Sequence, residues 1–589
     1  MGNGSDSSAY FGPLSTPCFI ACFQRSLNSC PDTSPMQRLL THQNLPSNCR
    51  QPRDLSETNL PSGSSPWSGF HSEIISKTRQ WHYVHRFWHL YHPLLPILCE
   101  RDFTDEFESL WTPDTTKTMQ RTPSALVDIV IAICSLAQSS RPKERTRSSY
   151  SPRDTGSREW THETISVWHY RRCKRLLDDE LEMPTLATVQ SHIVMSLYLY
   201  TTSRPSAAYN SLGTAGRIAY SLGLQRDPPA TLGVTKQELR RRIWWSLYIF
   251  DSRLSLELGR PTIMTLHVCD CQLPADDVET AQVACLQPFS STAEVTWLTY
   301  TVQLAKLVTI VQSIYADIYG ESSTIDNHAT LSDGALLAAA SLEKHLHRLY
   351  AWADAVPHDL RLSRTGGESA LSYKFSGIQV DLYAPGWLQN QRAFLEALYH
   401  DAAIALIRPM ALLRTVCGQP KNAIDSLLEH LHGHANVAIH VCHQLYLETD
   451  VLSDHPELSS VVWNAAVTML YRFITGPGEH DVARSLELVV ELLEHVDGVD
   501  VNAIHALANV HKASFLGQWT PESLVHTESL PANQSPTLEL NTPTMPHGIT
   551  DDTYSSTEVG HPLPIHEVEH SIPEMNPDLW LNDTTWLGE

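Results

Sequence analysis

One stretch near the carboxyl end has the residue spacing of a zinc protease. Residues 566–570 read His-Glu-Val-Glu-His. In zinc proteases, two histidines one helical turn apart hold the metal and the glutamate activates water. That chemistry needs a rigid helix in a folded domain, but Pro562, Pro564 and Pro573 flank this motif in a segment predicted to be disordered. We therefore favour a chance match and keep a metal-dependent hydrolase as an alternative.

Other candidate metal ligands lie in the middle of the chain. Four histidines and one cysteine are close in sequence: His430, His434, His440, Cys442 and His443. His430 and His434 could share a helix face, but we interpret the four as ordinary surface histidines. Cys269 and Cys271 have no second pair nearby at zinc-finger spacing, so a structural role is favoured.

The remaining motifs do not indicate catalysis. The sequence has no P-loop, no dinucleotide-binding glycine fingerprint and no G-x-S-x-G elbow, so we predict a protein that is not an enzyme, with no evident cofactor. A net charge of −23 argues against a chain built as a whole to bind phosphates or anionic lipid. No apolar run reaches the roughly 18–20 residues that span a bilayer.

Two basic runs could contact phosphates or direct nuclear import. Arg240, Arg241 and Arg242 are adjacent, so on a helix they point in about three directions and form a collar rather than a patch. We favour packing, with solvated or paired guanidinium groups. The second run, residues 171–175, fits either nuclear targeting or a solvated helix face.

Two helices joined by a proline-stopped loop carry the first basic run. One apolar face recurs at helical spacing: Ala208, Leu212, Ala215, Ala219 and Leu222. Gly223 fits a left-handed residue just past the helix end. Gly213 and Gly216 would let a neighbouring helix approach closely.

The second helix of this pair should run from about residue 235 to 258. Thr235 and Glu238 have capping-box spacing at its start, and Gly259 ends it. Asp251 lies on its apolar face, so a buried carboxylate there must pair, with Arg260 or a collar arginine as the expected partner.

Composition divides the chain into three parts. Residues 1–74 are rich in Ser, Pro, Asn and Gly and are predicted to be disordered. Residues 75–515 show helical periodicity and few strand signals, so we predict an all-α, multi-helix array of packed helix pairs. Residues 516–589 contain no Lys or Arg and 12 Asp or Glu, which predicts a disordered acidic tail. Helices are predicted at 79–92, 123–139, 158–182, 184–201, 205–222, 235–258, 295–319, 331–355, 389–413, 422–447, 458–474, 483–495 and 502–515.

Residues 212–274 closely resemble the signature of the fungal-specific transcription factor domain, the middle homology region of fungal zinc-cluster regulators. Residues 83–103, with an aromatic helix and a His-Pro step, and residues 398–409, which end in Arg-Pro, resemble other parts of that family. The resemblance implies a helical regulatory domain that can dimerise and sense a small molecule. It marks these structural signature residues: Gly213, Ala215, Ala219, Leu222, Gly223, Leu224, Arg242, Trp245, Asp251, Gly259, Arg260, Pro261 and Pro274.

The chain departs from the family at its amino-terminal cysteines. Members usually begin with a zinc cluster of six cysteines, spaced C-x2-C-x6-C twice, which binds DNA. Here Cys18, Cys22, Cys30 and Cys49 are separated by three, seven and eighteen residues, which cannot build that cluster. Zinc is therefore expected for the family but not from these residues. Either the cluster is missing from the gene model, or a partner that binds DNA supplies it.

The acidic tail contains a segment typical of activation regions. Residues 577–587 alternate large apolar groups with acids, so a groove on a partner could fold them into a short helix. Candidate anchors are Leu579, Trp580, Trp586 and Leu587. The alternative is a tail that only aids solubility.

The family resemblance and the acidic tail together imply a nuclear regulator of RNA polymerase II transcription. The resemblance alone, and no residue pattern, favours control of a metabolic gene set such as a secondary-metabolite cluster. The expected partners are the transcription machinery, DNA directly or through another protein, a second subunit in a homo- or heterodimer and a small-molecule effector. A non-regulatory helical scaffold is the other alternative.

Overall fold

The structure is a computed structural model that describes residues 10–12, 14–28, 50–53, 55, 74–113, 119–139, 160–285, 295–319, 331–366, 369–417, 422–475 and 480–495. These residues lie within one compact unit, Met1–Thr520. The described part of the chain forms sixteen α-helices and two short antiparallel hairpins. The predicted all-α, multi-helix array is confirmed.

The helices are, in chain order, α1 Thr16–Asn28, α2 Lys77–Leu90, α3 Glu100–Ser109, α4 Ala125–Ser139, α5 His162–Glu180, α6 Leu186–Thr201, α7 Pro205–Ser221, α8 Val234–Leu258, α9 Val278–Ala284, α10 Thr299–Tyr319, α11 Leu331–Ala355, α12 Gly386–Cys417, α13 Asn422–Glu448, α14 Val451–Asp454, α15 Ser459–Thr475 and α16 His480–His495. The strands are β1 Trp111–Pro113 with β2 Met119–Arg121, and β3 Ser363–Arg364 with β4 Ile378–Gln379.

Most helices pack against their neighbours in sequence. Helix α4 packs on α5 and α6, α6 packs on α7, and α7 packs on α8. In the second half, α12 packs on α13, and α13 packs on α15 and α16. Helix α10 contacts α8, α11 and α12, so it joins the two halves into one apolar core.

Helix α4 is buried over most of its length and contains one acidic side chain, Asp128. This carboxylate accepts hydrogen bonds from Arg121, from the Nε of Arg172 at 2.6 Å and from the Nδ1 of His169 at 2.9 Å. Although burial alone raises a carboxyl pKa, the two arginines hold the pKa of Asp128 well below its usual range. The network fastens α5 and the β2 strand to α4.

The amino-terminal prediction is partly wrong. Helix α1 lies inside the segment predicted to be disordered, and Phe19, Ile20 and Phe23 on it are at most 4% exposed. The prediction rested on the Ser- and Pro-rich composition of residues 1–74 as a whole, which does not show this short amphipathic stretch. The tail at 516–589 and the helix predicted at 502–515 lie outside the described residues.

Elsewhere the predicted helices agree with the structure to within about four residues at each end. Helices α3, α9 and α14 were not predicted because each is too short for a clear period. Helix α9 lies between the helices predicted at 235–258 and 295–319. It begins where the side chain of Asp277 accepts the N–H of Thr280 at 2.9 Å. No helix in the described ranges is long and apolar enough to cross a membrane.

The capping box predicted for α8 is wrong. The helix begins one residue earlier, with Gly233 as N-cap and no side-chain cap. Glu238 is instead buried and accepts hydrogen bonds from Arg241 at 2.5 Å and from the N–H of Ala275 at 2.9 Å. Its carboxylate therefore fastens the loop after α8 rather than the first turn of the helix.

Candidate effector site

The helix pair α7–α8 ends as predicted at both glycines. Gly223 and Gly259 have φ angles of 70° and 64°, where a side chain is strained. The close approach predicted for Gly213 and Gly216 is real, but its partner is a loop. A Cβ at either glycine would lie about 3 Å from the side chain of Ile263 (2.9 and 3.1 Å), because the chain folds back over α7 after Pro261.

The predicted ion pair of Asp251 is wrong. Its Oδ2 accepts the backbone N–H groups of Ile263 at 2.8 Å and Met264 at 2.9 Å, and its Oδ1 is buried without a hydrogen-bond partner among the described residues. Burial raises the pKa of Asp251 to about 6, against which the two amide hydrogen bonds act. The carboxylate thus accepts the N–H groups of the loop after α8, which backbone carbonyls would accept in a regular turn.

The arginine collar is used for packing. Arg240 donates to the carbonyl of Leu222 at 2.8 Å, and Arg241 forms two hydrogen bonds with Asp227 at 2.8 and 2.6 Å. Arg242 is 1% exposed and donates to the carbonyl of Pro96 at 3.0 Å. The guanidinium groups thus bind α8 to the loops around it. Because these hydrogen bonds use their N–H donors, few donors remain to bind a phosphate.

The other signature residues are mostly part of the same packing. Ala215, Ala219 and Leu224 are buried, and Leu222 and Pro274 are half-buried. The indole N–H of Trp245 donates to the carbonyl of Gln272 at 2.8 Å. This contact holds the segment that leads to Pro274 against α8.

Arg260 holds a segment that sequence reasoning did not connect with it. We call residues 10–12 and 14–28 the N-terminal strap. Arg260 donates from Nε to the carbonyl of Tyr10 at 3.0 Å, and its guanidinium lies 5.6 Å from the ring centre of Phe11. The N–H of Gly12 donates to the carbonyl of Leu258 at 3.1 Å. The Gly259–Arg260 step therefore serves as the docking point of the strap.

The helical part of the strap packs on α12 and α15. The rings of Phe19 and Phe23 lie edge-on to Tyr471, with centroids 5.7 and 5.2 Å away. Arg408 donates to the carbonyl of Leu14 at 2.9 Å. Aromatic contacts of this kind contribute about 0.5–1.5 kcal/mol each beyond area burial, so the strap is well anchored.

Two small cavities lie along α8, one beneath the strap. We call the one beneath the strap the strap cavity; it has a volume of about 40 Å³ and is lined by residues of the strap, α8, α10, α12 and α15. The second, the aromatic cavity, has a volume of about 70 Å³, and its lining includes Tyr91, Phe250, Tyr300 and Phe394. Arg253 and Leu304 line both. Each has room for a few water molecules.

Charged groups surround the strap cavity. Glu257 accepts a hydrogen bond from the hydroxyl of Tyr200 at 2.7 Å, and Asp401 accepts one from the amide of Asn464 at 2.8 Å. Burial raises the pKa of Glu257 to about 7 and also raises that of Asp401. Burial lowers the pKa of Arg408 to about 10. The cavity therefore combines ionisable groups, whose pKa values burial shifts, with walls of Leu, Val and Ala.

The histidine cluster is only partly at the surface. His434 is fully buried, and its Nδ1 lies 2.8 Å from the Nδ1 of His400. Its interpretation as a surface residue is wrong because α13 turns this position onto α12. His430 is half-buried, with its Nδ1 2.9 Å from the hydroxyl of Tyr350. Within the described ranges no group of three His, Cys, Asp or Glu could hold a metal ion.

Several other candidates are resolved by burial. Cys271 is buried and its thiol donates to the carbonyl of Gln272 at 3.6 Å. Arg172, in the second basic run, is buried against Asp128, which leaves that run without a continuous exposed basic face. Cys18 and Cys22 lie on α1 as free thiols. Cys30, Cys49, the motif at 566–570 and the four tail anchors lie outside the described residues.

Comparison with known proteins identifies the helical region. Residues 84–354 match the model of the fungal-specific transcription factor domain. A terreic acid cluster-specific transcription factor of Aspergillus terreus is 31% identical over 418 residues, 69% of this chain and 62% of the relative. A transcription factor of Emericella nidulans is 29% identical over 73% of this chain and 76% of its own. An oosporein cluster regulator of Beauveria bassiana is 26% identical over 70% of this chain and 57% of its own. The chain thus spans less than two thirds of two of these relatives.

Proposed function

Because residues 84–354 of this chain belong to the fungal-specific transcription factor domain family, we propose that it regulates RNA polymerase II transcription of a secondary-metabolite biosynthetic gene cluster. The observation that carries the proposal is the match over the α2–α11 region, which contains the signature block. Two relatives, named as regulators of the terreic acid and oosporein clusters, support the choice of pathway class. The role is non-catalytic and its site of action is the nucleus.

In this proposal the helical region is a regulatory domain and the acidic tail recruits the transcription machinery. Helices α7 and α8, the strap and the cavities beside Arg253 form the part that responds to an effector. The signature residues support that part by packing. DNA is reached through a partner, or through a zinc cluster that lies outside residues 1–589. A homo- or heterodimer is consistent with either route.

Gene deletion in the fungus that carries the chain tests the proposal. We expect transcripts of one contiguous set of biosynthetic genes to fall severalfold in RNA sequencing, and a tagged copy of the chain to restore them. Chromatin immunoprecipitation of that copy should enrich the promoters of the same genes. A helical scaffold with no regulatory role predicts unchanged transcripts and no promoter enrichment, and either result would reject the proposal.

The hydrolase alternative is tested in the same strain. A copy carrying His566→Ala and Glu567→Ala lacks the ligand and the base that a zinc protease requires. We expect this copy to restore the transcripts as fully as the unchanged chain. If this copy is present at normal abundance but does not restore the transcripts, the hydrolase alternative is supported.

A further inference from the structure

The aromatic cavity has an unusual number of polar atoms without partners. The Oη of Tyr91, the Oγ of Ser246, the Oγ1 of Thr301 and the Oε2 of Glu457 have no hydrogen-bond partner among the described residues, and all four side chains line this cavity. Tyr91, Ser246 and Thr301 are at most 3% exposed. A buried polar group left unpaired costs about 1–3 kcal/mol, so four around one space indicate an occupant that bonds to them.

Arg253 divides the available space. It lines the aromatic cavity on one side and the strap cavity on the other. Its side chain is only half-buried, and it lies near the carboxylates of Glu257 and Asp401, whose pKa values its charge lowers. A long, half-exposed arginine can turn toward water at modest cost because its charge stays solvated. Such a movement would join the two spaces.

Size and wall chemistry limit what could bind. Even together, the two cavities fall short of the roughly 150 Å³ that holds a benzene ring, so a ring fits only when the volume now filled by the Arg253 side chain is added to theirs. The walls of the aromatic cavity include the rings of Tyr91, Phe250, Tyr300 and Phe394. Three hydroxyls can donate or accept, and Glu457 adds an acceptor for a ligand hydroxyl.

We propose that the two cavities are one effector site, divided by Arg253 when empty, which takes a single-ring aromatic molecule bearing hydroxyl and carbonyl oxygens. The ring lies among the aromatic side chains, and its oxygens bond to Tyr91, Ser246, Thr301 and Glu457. The identification of this ligand as an effector rests on the proposed function; its binding to the chain does not.

Calorimetric titration of the purified full chain tests the site. The probe is 4-hydroxybenzaldehyde, and toluene is the matched apolar ring. We expect the probe to bind at least about tenfold more tightly than toluene, since one or two hydrogen bonds to buried groups are worth that factor. Absent binding of both would mean that the cavities hold only water, and equal binding of both would mean that the four polar atoms do not bond to the ligand; either result would overturn the proposal.

Two variants should change probe affinity in opposite directions. Ser246→Ala with Thr301→Val removes two bonding hydroxyls and should weaken binding about tenfold or more. Arg253→Ala removes the divider and should tighten binding severalfold. Arg217→Ala, an exposed arginine on α7, is the control and should change nothing. Unchanged affinity in the double variant would overturn the site.

Thermal unfolding without ligand separates binding from folding. Because the two hydroxyls have no partner, the double variant should melt at the same temperature as the unchanged chain or higher. If the double variant fails to fold, the affinity of the Arg253→Ala variant for the probe becomes the test. No gain in affinity in that variant would reject the proposal. Binding of the probe by a chain whose deletion leaves transcripts unchanged would refute the proposed function and leave the site intact.

Discussion

At the scale of single residues, Asp251 shows how a buried carboxylate can be kept without an ion pair. Its Oδ2 takes two backbone N–H groups from the loop after α8. Two amide donors compensate part of the desolvation, and the remaining cost is expressed in a pKa of about 6 instead of 3.8. The folded chain is therefore most stable when this carboxyl is neutral, although the two amide hydrogen bonds are stronger when it is ionised.

This shift predicts a pH dependence. The folded pKa lies above the unfolded value, so the stability that Asp251 contributes is fully present below about pH 4 and is lost as the pH rises through about 6. We expect the unfolding free energy of the unchanged chain, relative to Asp251→Asn, to fall by about 2 kcal/mol between roughly pH 4 and pH 7.5. Urea unfolding followed by tryptophan fluorescence at both pH values measures this difference.

Asp179→Asn is the control for this prediction, since Asp179 is exposed on α5. Its effect on unfolding should be small and nearly independent of pH. If Asp251→Asn gave the same flat profile, Asp251 would have to be ionised throughout, and the amide hydrogen bonds would be stronger than the burial.

At the scale of elements, the strap and the end of α8 depend on each other. A Cβ on Gly259 would lie 2.6 Å from the backbone of Gly12, closer than atoms can approach. The residue also has a left-handed φ angle. Gly259 is therefore required for two reasons: the helix end needs a left-handed φ angle, and the strap approaches too closely for a Cβ.

Gly259→Ala should release the strap. Gly223→Ala is the matched control, because Gly223 has a similar φ of 70° but nothing within 4 Å of an added Cβ. Both should lose about 1–2 kcal/mol to backbone strain, and only Gly259→Ala should lose more. We expect trypsin to cut at exposed Arg25 about tenfold faster in that variant alone, measured by mass spectrometry. Equal cleavage rates would show that the strap does not depend on this contact.

At the scale of the whole molecule, the charge of residues 516–589 differs from that of the helical region. Residues 516–589 hold 12 acidic and no basic side chains, a composition typical of acidic activation segments. We propose Leu579, Trp580, Trp586 and Leu587 as the residues that enter a groove on the transcription machinery.

Fusion of residues 516–589 to a heterologous DNA-binding domain should activate a reporter gene. Replacing the four anchors with alanine should reduce activation at least about fivefold, because the apolar contacts that drive coupled folding are gone. The matched control replaces four other leucines of the tail: Leu524, Leu530, Leu538 and Leu540. An equal loss in the control would refute the assignment of the anchors, and no activation by the unchanged tail would favour a role in solubility.

The sequence alone determined the helical architecture and the family. Apolar residues at spacings of three and four, ended by glycines such as Gly223 and Gly259, specify helices locally, because each depends on residues within a few turns. The fungal transcription factor signature is likewise a linear pattern. Short elements such as α1 and α9 were missed because few residues carry their period, and most of their stability comes from distant contacts.

Only the tertiary structure decided which groups meet. Asp251 bonds to amides of a returning loop, His434 meets His400 from another helix, and Arg260 holds a strap about 250 residues earlier in the chain. The cavities beside Arg253 likewise arise where four or more elements pack imperfectly. Local spacing cannot predict such sites, because the free energy that creates them comes from the burial of the whole core and not from neighbours in sequence.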